Sequence, residues 1–390
     1  MQHVSSPKSI VLFSTRLLTL YLLSLLFGIA LGLFHPLMST FMKQQQVNQI
    51  WIGINSTVYF LAIALATPLA NQLLRLRGIR PVLLLGLWLM GLSSSSFPFT
   101  SELFLWHIIR VLMGFGVCFF LIGGQTALNH FSHKTNRVRV SGIYFMALGL
   151  GCIIGTNLGL HFYKISPQLA FLIGGIIVLT SFAIVWCYFQ EKLTLETSSS
   201  TLLLPLLKQL KFPIHCAFGY GMAEATLITL YPVFLLDQNY SVEQMGFTLS
   251  IFGLGSLLST VPVTNLADSL GKIKVLSACI FVSILTSLGL NLIDNYGLIL
   301  MFSMLAGASI GPVYPICLAL IGEQVISKDL SAGIALFTTT YSLGNAAGPI
   351  LSSLMMEMLG NRFIFSAFIP LYIFLLLQIR TRGKKQLKFK

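Results

Sequence analysis

The chain has 390 residues, of which 55% are hydrophobic and only 9% are charged. Soluble domains carry about 25% charged residues, so this chain has too little polar surface to cover itself in water, and lipid is its solvent. That excludes a soluble enzyme, and the formal net charge of +13 reads as membrane topology rather than nucleic-acid binding, because the basic residues flank apolar runs.

A helix crossing a bilayer needs roughly 20 apolar residues. The apolar runs predict twelve transmembrane helices in an all-α membrane protein. Six fall at 17–42, 50–73, 81–99, 103–130, 140–163 and 167–189. Six more fall at 213–236, 245–267, 273–293, 296–322, 332–357 and 362–379. The expected organisation is an N-terminal half over 1–189, a polar connector over 190–212, and a C-terminal half over 213–390 that ends in a basic tail. The first run is too long for a signal-peptide core and lacks a small-residue cleavage site, so it is expected to remain as a helix.

Orientation follows from Lys and Arg. With the N-terminus in the cytoplasm, cytoplasmic segments hold 20 of the 24 basic residues. Lys43, Lys164 and Arg362 lie outside, and Arg110 lies within the membrane. Both termini are therefore expected on the cytoplasmic side of the membrane, an inner (cytoplasmic) membrane. The six cysteines all fall inside apolar runs without a CxxC pair. They read as small buried hydrophobes, and neither a metal nor a cofactor is expected.

A shift of 193 residues aligns the halves. It carries Gly53 onto Gly246, Gly78 onto Gly271, Gly114 onto Gly307, Gly151 onto Gly344 and Gly155 onto Gly348. Each half has six helices, so the second starts on the same side as the first. Such halves are parallel repeats about an axis along the membrane normal.

Four constellations stand out. The loop Asn265 to Lys274 contains Asp268, Gly271 and Lys272. Gly271 permits a tight turn, and Asp268 can accept from a helix N-terminus or pair with a basic side chain. Its first-half counterpart holds Arg75 at the Asp position, with Gly78 and Arg80. In helix four, Arg110 is followed by Gly114 and Gly116. An intramembrane Arg costs at least about 2.5–3.5 kcal/mol, so it should face a cavity or a partner, or snorkel to the nearby outer end. Glycines four apart, Gly151 and Gly155 in helix five and Gly344 and Gly348 before Pro349 in helix eleven, let helix backbones approach closely. Finally, Glu224 lies near the middle of helix seven in an otherwise uncharged span. A carboxyl group in a low-dielectric setting is a candidate proton exchanger. Position 31, its repeat equivalent, is Leu31.

The Asp268 loop and the Arg110 helix resemble signatures of the major facilitator superfamily, and the resemblance covers essentially the whole chain. Within it, Leu230 to Leu235, the Ala267-Asp268 pair and the missing first-half Asp resemble the bacterial YcaD-type subgroup. The resemblance implies a secondary transporter that moves a small organic solute by alternating access. It also implies a role in proton coupling for Arg110 and a cavity lined by helices one, four, seven and ten. The fifth-helix motif of this family ends in Gly-Pro and is associated with antiporters. Here Thr156 follows Gly155, and the intact Gly348-Pro349 sits in helix eleven.

Glu224 is thus expected to act as the protonation switch, with Arg110 its electrostatic counterpart. His35, beside Pro36, is a further titrating or binding candidate. The polar cavity candidates are Tyr59, Gln125, Asn129, Tyr231, Tyr314, Tyr341 and Asn345, each of which could equally serve as interhelical glue. Expected partners are a small-molecule substrate, protons and the lipid bilayer, with the chain acting as a monomer. Proton-coupled efflux of a drug or metabolite leads. Proton-driven uptake of a nutrient or siderophore is the alternative, and a non-transporting membrane sensor or assembly factor is the reading from another class.

Overall fold

The computed structural model describes residues 14–132, 137–189, 203–326 and 329–387. Among them the N-terminal helices are α1 (Thr15–Gln44), α2 (Gln49–Arg77), α3 (Ile79–Ser96), α4 (Leu103–Phe131), α5 (Arg137–Ile165) and α6 (Pro167–Tyr188). The short α7 (Leu203–Gln209) precedes α8 (Lys211–Thr229), α9 (Tyr231–Asp237), α10 (Val242–Leu270), α11 (Lys272–Leu292), α12 (Tyr296–Ile310), α13 (Val313–Gln324), α14 (Leu330–Leu359) and α15 (Ile369–Leu387). Most of the expected connector, 190–202, lies outside the described residues, and its remainder forms α7 and the start of α8.

Ten helices are long and apolar enough to cross a membrane, and the bent pair α8–α9 makes eleven among the described residues. The twelfth, α14, is 30 residues long but carries Thr338 to Ser342 and Asn345, which dilute its apolar character. The run expected as one helix at 213–236 is broken at Leu230, where α8 and α9 meet at 48°. Pro232 accounts for the break, because it has no N–H and its ring crowds the Ile228 carbonyl. The run at 296–322 turns at Gly311-Pro312 yet continues as one span, Tyr296–Gln324.

The 193-residue shift holds at the level of whole elements. It carries Gln49–Arg77 onto Val242–Leu270 and Leu103–Phe131 onto Tyr296–Gln324 without a gap. Packing follows the same symmetry. Within the halves α1 lies along α5 and α8 along α14, and between the halves α2 packs on α14 and α5 on α10.

Small residues set the intra-half seams. A Cβ on Gly151 or Gly155 would strike the Leu25 or Ile29 carbonyl of α1, and one on Gly344 or Gly348 the Phe218 or Met222 carbonyl of α8. The α1–α5 seam has one further device. Pro36 lies inside α1 and cannot donate to the Gly32 carbonyl, so Thr156 donates its hydroxyl there at 3.0 Å. The residue that replaces the expected proline therefore ties the two helices together. At the repeat-related turns, Gly78 (φ 81°) and Gly271 (φ 100°) take the left-handed backbone that glycine favours.

The polar contacts that join the halves gather at the end opposite the chain termini. Lys43 pairs with Asp237 at 2.5 Å, and Gln49 donates to Asp237 at 2.9 Å and to Asn361 at 2.6 Å. Asn48 donates to Glu357 at 3.1 Å, and Lys164 pairs with Glu243. Nearer the termini, Gln125 and Asn129 on α4 and Thr338 and Thr339 on α14 are exposed. Polar residues do not favour lipid tails, so these positions suit contact with water or headgroups.

Candidate transport site

Two polar clusters stand well inside the membrane-spanning helices, one in each half. The N-terminal cluster is built on Arg110, which lies roughly 10 Å along α4 from its start. Its side chain is fully buried, so it does not snorkel. Its Nε donates to Asn55 Oδ1 of α2 at 2.8 Å, and Asn55 Nδ2 in turn donates to the Trp106 carbonyl at 3.1 Å. The guanidinium lies over the Tyr59 ring, 5.3 Å from its centroid, and Nη1 approaches Met113 Sδ at 3.7 Å. His35 of α1 meets the same ring edge-on at 4.8 Å, and its Nδ1 is buried without a hydrogen-bond partner. A neutral amide and an aromatic face thus hold the cation, and no carboxylate pairs with it among the described residues.

The C-terminal cluster is built on Glu224, roughly 20 Å along α8 from its start. Tyr341 of α14 donates to Oε2 at 2.5 Å and Tyr220 of α8 donates to Oε1 at 3.0 Å. Tyr314 of α13 packs against both rings, at centroid distances of 5.7 Å from Tyr220 and 5.4 Å from Tyr341. All four side chains are partly exposed.

Local structure explains the assembly. Tyr220 precedes Glu224 by four residues, so both share a helix face. Tyr341 arrives because α14 comes unusually close to α8. At Gly221 a Cβ would strike the Tyr341 carbonyl. Tyr314 enters from the first turn of α13, just past the Gly311-Pro312 turn.

The structure brings together Arg110, His35 and Tyr59 in one half, and Glu224, Tyr314 and Tyr341 in the other. No hydrogen bond or ion pair links Arg110 to Glu224 among the described residues. Gln125 and Asn129 are exposed on α4, toward the termini. Tyr231 is fully buried behind the α8–α9 bend, its hydroxyl 2.6 Å from Ser303 Oγ and its ring against Phe365. Asn345 is buried one turn beyond Tyr341, and its Oδ1 has no partner. Sequence reasoning missed Tyr220 and Asn55. The four-residue spacing to Glu224 was the available signal for Tyr220; nothing marked Asn55.

The loop motif forms an intra-half clasp. Lys272 pairs with Asp268 at 2.8 Å and with Glu323 at 2.8 Å, joining the ends of α10, α11 and α13. In the first half Arg75 is exposed, and Arg80 takes over. It donates to the Trp186 carbonyl at 2.8 Å and stacks on that indole at 5.0 Å. Among the described residues no group of three or more His, Cys, Asp or Glu side chains is placed to hold a metal ion.

The family model described as Major Facilitator Superfamily matches residues 20–209 and 214–388. The uncharacterized MFS-type transporter YfkF of Bacillus subtilis is 26% identical over 344 residues, covering 87% of this chain and 88% of that protein. The uncharacterized MFS-type transporter YcaD of Escherichia coli is 23% identical over 364 residues, covering 92% and 94%. Among solved structures, the nucleoside transporter NupG superposes with a TM-score of 0.77 at 13% identity, over 94% of this chain and 99% of that one. A bacterial homologue of the human lysosomal transporter Spinster, in an inward-facing and occupied conformation, superposes at 0.74 and 13% identity, over 96% of each chain.

Proposed function

The chain belongs to the major facilitator superfamily, and from that premise we propose that it is a proton-coupled secondary transporter of a small organic solute. In this reading the two halves rock about a water-filled vestibule between them, and the described arrangement, clasped at the end away from the termini, is one limit of that motion. By the distribution of Lys and Arg the terminal side is cytoplasmic, and the bacterial relatives point to a bacterial inner membrane, which makes this limit inward-open. The chain acts as a monomer, each copy holding both repeats and a complete vestibule.

One observation carries the coupling. Glu224 is a partly exposed carboxylate near mid-span, and its donors are two tyrosine hydroxyls rather than a basic side chain. Without a fixed counter-charge, its ionised form is stable only while water or a cation attends it, and it takes a proton when the vestibule closes. Arg110 supplies a fixed positive charge in the opposite half, held by Asn55 and Tyr59, and keeps one sign through the cycle.

The test is proton flux in proteoliposomes loaded with a pH-sensitive dye. A solute panel sorted by charge is applied under an imposed pH gradient. Wild type should move protons in response to one solute class, and Glu224→Gln should not. Solute flux that ignores the pH gradient, or that persists unchanged in Glu224→Gln, would overturn the proposal.

A further inference from the structure

Resting on that transport reading, we propose that the Glu224 cluster is itself the solute subsite and that the solute is an organic cation, an amine or quaternary ammonium compound with an apolar body.

The wall chemistry points to positive charge. Tyr220, Tyr314 and Tyr341 stand ring against ring within 5.7 Å, beside a single carboxylate. Aromatic faces attract weakly hydrated cations through the ring quadrupole, and organic ammonium groups are the ligands such faces suit. The side chains that meet Glu224 or its ring cluster among the described residues are Tyr220 on its own helix, Tyr341 and Phe337 on α14 and Tyr314 on α13. None of them is basic. The nearby Asn345 Oδ1 is an acceptor without a donor, which a protonated amine can satisfy.

Two competing ligand classes fit poorly. An anion would meet the Glu224 charge, while the guanidinium that could balance it is sealed inside the other half. A bare metal ion needs several oxygen ligands, and both Glu224 oxygens already accept from tyrosines. The flanking surface is aromatic, with Phe337 against Tyr314 at 5.1 Å, which suits an apolar body.

The consequence is exchange at one carboxylate. The cation binds only to ionised Glu224, and a proton arriving there neutralises the charge and releases it. One proton then enters for each cation exported, and no further reactant is needed.

Ethidium binding to the purified protein in detergent, followed by fluorescence anisotropy, tests this. Wild type should bind ethidium saturably, and tetraphenylphosphonium, but not fluorescein, should displace it. In the acid range binding should weaken about tenfold per pH unit, as one-proton competition requires. Glu224→Gln should lose at least tenfold in affinity together with the pH dependence, whereas Glu224→Asp should keep the pH dependence. Tyr220→Leu should weaken binding more than Tyr220→Phe, because only the leucine variant removes the ring. The cation assignment fails if wild type binds neither cation, if Glu224→Gln binds as well as wild type, or if fluorescein competes. Should wild type ignore both cations while another solute class still evokes Glu224-dependent proton flux, the cation assignment falls and the coupling stands. Ethidium binding without proton flux gives the reverse.

Discussion

Arg110 and Glu224 are both charges that a membrane-spanning helix resists, and the protein treats them differently. Arg110 is sealed and hydrogen-bonded; Glu224 is left partly open with two weak acids as donors. For Arg110 the arithmetic is close. Removing the charge recovers at least about 2.5 kcal/mol of insertion cost, and it orphans Asn55 Oδ1 at about 1–3 kcal/mol. Arg110→Met should therefore change the thermal midpoint little. Asn55→Leu should lower stability by about 2 kcal/mol or more, because it strands a buried charge. Adding Arg110→Met to Asn55→Leu should restore most of that loss. Thermal unfolding of the four variants in detergent checks the cycle, and simple additivity would show that the two side chains do not depend on each other. Depth was legible for both charges, because a helix rises a fixed distance per residue. Direction around the helix was not. α4 and α8 are apolar nearly all round, so no stripe told which neighbours Arg110 and Glu224 would meet. That is why Asn55 escaped notice and why the expected Arg110–Glu224 partnership resolves into two separate clusters.

At the scale of elements, the seams decide where side chains meet. Gly221, Gly344 and Gly348 let α8 and α14 touch backbone to backbone, and that approach carries Tyr341 to Glu224. Gly348→Leu should push α14 off α8, breaking the Tyr341–Glu224 hydrogen bond. Overpacking of this kind costs about 1–3 kcal/mol or more, and coupled transport should be lost with it. By contrast, nothing lies within 4 Å of a Cβ at Gly142. Gly142→Ala should stabilise α5 by about 0.5–1 kcal/mol, the usual gain for replacing a helical glycine. Paired thermal-shift and flux measurements on the two variants separate seam glycines from incidental ones. These seams were readable as spacing, since glycines four apart recur on the 193-residue offset. The Pro36–Thr156 tie was not, because it joins a missing donor in one helix to a hydroxyl in another.

At the scale of the whole molecule, twelve spans and two parallel halves were legible because bilayer thickness dictates the length of an apolar run. The breaks at Leu230 and Gly311 depend on proline sterics, which the length of an apolar run does not reveal. The clasp opposite the termini joins the exposed Lys164–Glu243 pair to the part-buried Lys43–Asp237 pair and the buried Gln49. An exposed pair contributes about 0–1 kcal/mol and a buried or charge-assisted hydrogen bond about 0.5–3 kcal/mol, so these contacts together give a few kcal/mol. Moving a two-state balance from 1:99 to 99:1 takes about 5.5 kcal/mol, so this closure is of the size a proton and a solute can reverse. Lys43→Ala combined with Lys164→Ala should raise maleimide labelling of a cysteine at Thr57 several-fold; unchanged labelling would show that the clasps do not hold that end shut. The most direct test of the coupled cycle needs no solute. Spin labels at Gln45 and Met358, both exposed beside the clasps, report the gap between the halves in liposomes by pulsed dipolar spectroscopy. Alternating access switched at Glu224 predicts two distances whose proportions change with pH in wild type and stay fixed in Glu224→Gln. A single distance at every pH, or the same pH response in Glu224→Gln, would contradict it.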